Sequence, residues 1–314
     1  MLATEQHRLA ELRRQLASAT HAEATVRAYR SDWTHFESFC RANGMTSLPA
    51  DPEDVAIYCT AALVDERLRI PTVERRLAAI ADMHRRCGHA SPIDRDGPVR
   101  LLLRGARRRR PETPGQRLPL RIEHLERIFA AVPDEPRLVR DRALILAGFA
   151  TALRSSSLRM AELEDLRYAE DGCLLYVRYE KQDQERKGRY IAIARGQRMA
   201  TCPVRALGQW LALRGNDAGP LFTRIHPGGR IEIARMSPQS VWRLMRRAVR
   251  RAGLDARRYG THSMRAGCIT AAIEAGCGEI ALARHTGHKS LETLRRYYRS
   301  NDPFRVCVSG LIGL

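Results

Sequence analysis

Four segments of the chain carry residue types suited to chemistry at a phosphate. In THSMRAG, His262 and Arg265 stand three positions apart, a spacing that puts both side chains on one face of a helix. In TGHKSLETLRRYYR, His288 is followed nine positions later by Tyr297 and then by Tyr298. Arg154 ends the apolar stretch GFATAL, and EKQDQERKGR holds Lys181 and Lys187. Guanidiniums present planar forks of donors to phosphate oxygens, and donors held in place stabilise the charge that develops in a transition state. Histidine shuttles a proton near neutral pH or hydrogen-bonds an oxygen. A tyrosine hydroxyl can attack phosphorus, and the ester it forms conserves the energy of the broken bond, so the step reverses without a nucleotide. Singly, each residue has an ordinary alternative: a surface arginine, a structural histidine, a packed aromatic. Tyr297 and Tyr298 also compete with each other, since helix neighbours point about 100° apart and cannot face one phosphate equally.

The elements that must position these residues are mainly helical. Val26, Tyr29, Trp33, Phe36 and Cys40 recur at three- and four-residue steps between His21 and Asn43, which predicts an amphipathic helix. Asp51 and Pro52 open a second helix, a third runs from Thr72 to Gly88, and a shorter one follows Pro98. Residues 1–105 thus read as a helical domain, with a further helix or an arm before His21. The stretch 106–120, with Arg107, Arg108, Arg109 and Arg110 among prolines and glycines, reads as a basic linker whose arginines either face water or lie along phosphates. In 121–314, helices are expected over 121–132, 140–152, 238–251, 262–275 and 290–300. Cys173 to Tyr179 and Tyr190 to Ala194 read as a β-hairpin with a long basic loop. A second strand pair is expected around Pro227-Gly228-Gly229. The fold class is mainly α: a helical N-terminal domain and an α+β C-terminal domain with a small antiparallel sheet.

Composition narrows the partner. With 54 Lys and Arg against 35 Asp and Glu the chain carries +19, an excess that favours a polyanion, and nucleic acid before a membrane surface. The longest nearly apolar run, Ala143 to Leu153, has about half the ~20 residues of a spanning helix, and no signal peptide opens the chain. We place the protein in the cytoplasm. Eight scattered cysteines form no CxxC pair and read as reduced thiols. His285 and His288 lack further ligands at zinc-site spacing, so neither a metal nor another cofactor is expected. Lysine is rare: Lys181, Lys187 and Lys289 are the three in the chain. Lysine can give up a proton when its pKa is lowered, whereas arginine cannot.

In order and spacing these residues resemble the signature of the tyrosine recombinase family, which includes Cre, the Xer recombinases and lambda integrase. The likeness is strongest over Arg142 to Leu166 and Thr261 to Arg299. It implies a site-specific recombinase in which Tyr297 is the nucleophile, Arg154, Arg265 and His288 hold the phosphate, and His262 exchanges a proton with the tyrosine or hydrogen-bonds the phosphate. Lys181 in the hairpin is the implied general acid, with Lys187 as second choice. The resemblance further implies a homotetramer that joins two double-stranded DNA sites through a 3'-phosphotyrosyl link and a Holliday junction. Each protomer's two domains would clamp DNA, with Arg107 to Arg110 and Lys187 against the duplex, and the tail NDPFRVCVSGLIGL would dock on a neighbour. One departure is Ser157, where the family usually has an acidic residue; Glu162 or Asp165 could substitute. Two rivals are a type IB topoisomerase-like nicking and closing enzyme and a non-enzymatic DNA-binding protein.

Overall fold

The computed structural model describes residues 23–109, 117–130, 133–178, 180 and 187–298. The chain divides into two compact units, Met1–Gly115 and Gln116–Leu314. Four described helices build the first: α1 (Glu23–Ala42), α2 (Pro52–Val64), α3 (Ile70–Arg86) and α4 (Pro98–Arg109). The Asp51 carboxylate accepts from the Glu53 backbone N–H at 2.8 Å, with Pro52 at the first helical position, the N-cap arrangement expected from sequence. Phe36 and Cys40 of α1, Tyr58 and Cys59 of α2, and Val73, Leu77 and Ile80 of α3 are buried together.

α4 continues through Gly105 to Arg109, into the stretch expected to be a linker. The reason lies in its apolar face. Val99 and Leu103 are buried, Leu102 and Ala106 pack beside the same core, and arginine is itself a good helix former. Arg107 pairs with Glu74 of α3, while Arg108 and Arg109 are exposed. The other end of the expected linker is also structured. Leu118 N–H donates to the Arg258 carbonyl at 2.9 Å and Leu120 N–H to that of Ser263 at 3.0 Å, and the Leu120 side chain is buried. Two leucines that can enter a core thus bring residues 117–120 into the second unit. Arg110, Lys181, the segment before His21 and the tail from Asn301 lie outside the described residues.

The second unit comprises α5 (Ile122–Phe129), α6 (Pro136–Thr151), α7 (Ser155–Met160), β1 (Leu166–Ala169), β2 (Gly172–Val177), β3 (Arg189–Ala194) and α8 (Pro203–Arg214). It continues with β4 (Thr223–Ile225), β5 (Ile231–Arg235), α9 (Pro238–Arg251), α10 (His262–Glu274), α11 (Glu279–Thr286) and α12 (Leu291–Tyr298). The strands form an antiparallel β1-β2-β3 sheet and a β4-β5 pair. Alternation sets the sheet's faces: Cys173, Leu175, Val177, Ile191 and Ile193 are buried, and Tyr176 lies opposite Tyr190 across the ladder. The architecture is the mainly α, small-sheet fold that the periodicity predicts. Sequence reading passed over β1, α7, α8 and α11. Among the described residues no helix is long and apolar enough to cross a membrane.

α6 forms the middle of the larger core, with Ala143, Leu144, Ile145, Leu146 and Ala147 all buried. α10 lies so close to it that a Cβ on Gly267 would collide with the Leu120 carbonyl and the Phe149 ring. Backbone cannot swing aside as a side chain can. Gly267→Ala is therefore expected to destabilise the unit by about 1–3 kcal/mol or more. Gly208→Ala in α8, where the Tyr168 hydroxyl is 3.7 Å from the added carbon, is expected to stabilise by roughly 0.4–1 kcal/mol through the unfolded state. Thermal unfolding measures both, and equal midpoints would show that α10 does not press on that backbone.

Candidate active site

The conformation of Ala152 decides where the first arginine goes. This residue caps α6 at φ +50°, a left-handed conformation that residues with a Cβ seldom adopt. The turn sends Leu153 into the core and leaves Arg154 at the N-cap of α7, lining a cleft of about 340 Å³ with Arg117, His262, Arg265, His288 and Tyr297. The Ala152 carbonyl also accepts from Arg265 Nη1 at 2.6 Å. One strained residue therefore couples the two arginines.

The three-residue spacing of His262 and Arg265 works as expected: α10 presents both to the cleft. Arg265 is 1% exposed, and its Nη2 stands 3.0 Å from His288 Nε2. Arg154 keeps a buried Nη1 with no hydrogen bond among the described residues. Among those residues neither guanidinium pairs with a carboxylate, so the cleft is a cationic hollow with donors to spare for an anion.

α12 brings Tyr297 over the same hollow, anchored by Leu294 against Ile269 and Leu282. The Tyr297 hydroxyl is 2.9 Å from His262 Nε2. Burial raises the Tyr297 pKa, opposed by Arg265 and Arg154, and burial with the same two arginines lowers that of His262. A neutral imidazole thus faces a protonated phenol, the pairing needed to remove the phenolic proton as the oxygen attacks. Burial, then Arg265, Arg154 and His262, pushes the His288 pKa down to about 4.

Contacts that spacing does not reveal hold this arrangement. Glu180, at the foot of the hairpin, accepts from Arg189 Nε at 2.9 Å. Arg189 Nη1 also donates to the carbonyls of His285 (2.9 Å) and Arg284 (3.2 Å), near the C-terminal end of α11, where a cation suits the helix dipole. The hairpin that leads into Lys181 is thereby fastened next to His288. His285 Nε2 lies 2.9 Å from the Ala150 carbonyl, which ties α11 to α6 and accounts for that histidine structurally.

Of the expected residues, Arg154, His262, Arg265, His288 and Tyr297 meet in the cleft. Lys187 is exposed on the hairpin and does not line the cleft. The carboxylates offered as stand-ins for the acid missing at Ser157 are engaged elsewhere: Glu162 with Arg235, and Asp165 with Arg178 at 2.7 Å. The carboxylate whose charge reaches Arg265 is Glu180. Acidic type followed by a basic hairpin loop was its one sequence signal.

The phage integrase family matches residues 119–303. The integrase/recombinase xerD homolog of Selenomonas ruminantium is 33% identical over 288 residues, covering 90% of this chain and 84% of that protein. In fold, the chain is similar to the Tn1549 transposon integrase in complex with transposon right end DNA, with a TM-score of 0.68, 15% identity, and 96% and 97% of the two chains covered. It is similar also to a lambda integrase tetramer bound to a Holliday junction, with a TM-score of 0.61, 17% identity and coverage of 94% and 77%. With the family matched over more than half of its length and a relative aligned nearly end to end, this chain belongs to the phage integrase family and is a tyrosine recombinase, a site-specific recombination enzyme.

Proposed function

We propose that the protein cuts and rejoins double-stranded DNA at specific sites through a covalent bond to Tyr297. The observation that carries this reading is the Tyr297 hydroxyl, 2.9 Å from His262 Nε2 in a cleft lined by Arg154 and Arg265. His262 takes the phenolic proton as the oxygen attacks a backbone phosphorus, while the two guanidiniums hold the non-bridging oxygens. The bond from phosphorus to the 5' oxygen breaks, which leaves a 3'-phosphotyrosyl ester and, once protonated, a free 5' hydroxyl. That hydroxyl, or one from a partner duplex, reverses the attack. Exchange on one strand pair and then the other passes through a Holliday junction, to which the lambda integrase tetramer of similar fold is bound. Four protomers on two sites complete the reaction, and the +19 charge suits such a polyanion.

The test is a duplex selected for binding from a random pool and nicked a few nucleotides to the 3' side of the scissile phosphate, so that the short fragment bearing the new 5' hydroxyl diffuses away and the ester accumulates. A denaturant-resistant protein-DNA adduct is the expected product. Specific binding without an adduct at any nick position would overturn the enzymatic reading in favour of a DNA-binding protein.

The proton donor to the 5' oxygen is Lys181 in this reading. Lys181→Ala is expected to slow cleavage of ordinary DNA by about 10²–10⁴-fold, the usual contribution of a general acid. A substrate with sulfur as the 5' leaving atom, which needs no proton, should restore the rate. Rescue of Lys187→Ala instead, with Lys181→Ala normal, would move the role to Lys187.

A further inference from the structure

Glu180 and Arg189 stand at the two ends of the stretch 181–188, which carries both Lys181 and Lys187. Arg189 opens β3 opposite Val177, the last residue of β2. Across the base of the hairpin the Glu180 carboxylate accepts from Arg189 Nε at 2.9 Å, and the Glu180 side chain is 8% exposed. Arg189 Nη1 donates in turn to the carbonyls of Arg284 and His285 in α11. The pair lies directly against the turn that leads into His288. A Cβ on Gly287 would meet Glu180 Oε2 at 2.6 Å and Arg189 Nη2 at 3.0 Å, and the φ of +69° at Gly287 favours glycine for its backbone as well.

An ion pair taken out of water adds little net stability over apolar packing, because desolvation offsets the attraction. This one is also unsaturated: Glu180 Oε1 and Arg189 Nη2 are buried with no hydrogen bond among the described residues. Buried polar groups that serve stability alone are as a rule fully bonded. We propose that Glu180 is a positioning residue for the recombination reaction: by holding Arg189 it pins both ends of the lysine-bearing stretch to the last turn of α11, and so sets the proton donor and His288 in one frame. A proton donor works within about 2.6–3.2 Å of the oxygen it protonates, and a misplacement of about 1 Å caused far from the chemistry can cost about 10²-fold. The same pairing serves whichever lysine gives the proton, since Lys181 and Lys187 both lie between its two partners in the chain.

The ordinary alternative is a hairpin staple that only keeps the unit folded, so the test compares two substrates within each preparation, where the fraction of folded protein cancels. The inference rests on the function proposed above. In single-turnover cleavage by the full chain at saturating protein, Glu180→Gln is expected to lose about 10- to 100-fold on ordinary nicked DNA, the usual loss when a supporting partner is removed. It should recover most of that loss on DNA with sulfur as the 5' leaving atom, which needs no proton. Arg189→Lys keeps the charge but not the fork that reaches Glu180 and the two carbonyls together, and should behave alike. The double variant should lose no more than the larger single loss, because both changes remove one clamp. DNA affinity should stay at the wild-type value. Equal slowing on both substrates would make the pair a staple and overturn the proposal, as would wild-type rates from Glu180→Gln. Should Glu180→Gln fail to fold, Glu180→Asp, with the charge kept one methylene short, decides by the same ratio. A wild type that forms no adduct would sink the function reading instead. A wild type that cleaves, with neither Lys181→Ala nor Lys187→Ala rescued by sulfur, would remove the lysine donor and this proposal with it.

Discussion

Tyr297→Phe is expected to bind its DNA site as the wild type does and to form no covalent adduct. The substitution removes one oxygen, and the ring can stay where it packs between His262 and His288. Binding depends on phosphate contacts from the many arginines, none of which changes. Thr270 and Thr293 also line the cleft, but among the described residues the hydroxyl hydrogen-bonded to His262 Nε2 is that of Tyr297. Tyr298→Phe should still form the adduct, and peptide sequencing should find the DNA on residue 297. DNA on residue 298 would move the nucleophile by one position.

Arg265→Lys is expected to fold, to bind DNA, and to cleave about 10²–10³-fold more slowly, the loss typical of removing one preorganised donor at a developing anion. The charge is conserved but its geometry is not. The guanidinium reaches the Ala152 carbonyl and His288 together and still faces the cleft, whereas an ammonium is a compact point charge without a fork. The effect should fall on the rate of adduct formation at saturating protein, with little change in the salt dependence of binding, since at most one phosphate contact is altered. Wild-type cleavage by Arg265→Lys would show that the fork is not what the transition state uses. Loss of binding in proportion to loss of rate would place the residue in general DNA affinity instead.

How much could be read without coordinates depended on how local the cause was. The cap of α2, the apolar alternation of β2 and β3, and the shared face of His262 and Arg265 all follow from neighbours a few residues apart, and the structure bears them out. Short elements with few apolar positions, such as α7 and β1, carry little periodicity and were passed over. The run Arg107–Arg109 looked irregular by itself. It is helical because Leu102, Leu103 and Ala106 reach the core of the first unit, a tertiary cause.

The sequence by itself determined which groups are offered for chemistry, since the types and order of Arg154, His262, Arg265, His288 and Tyr297 are legible along the chain. It also determined the strong positive charge and the mainly helical class, both sums over local composition and periodicity. Tertiary structure alone decided how those groups are held. Ala152 in a left-handed turn links two arginines that are 111 positions apart in number. Glu180 and Arg189 fasten the hairpin to α11. Each depends on a carbonyl or carboxylate brought within hydrogen-bonding distance by the packing of separate elements, and no spacing rule along one chain segment encodes that distance.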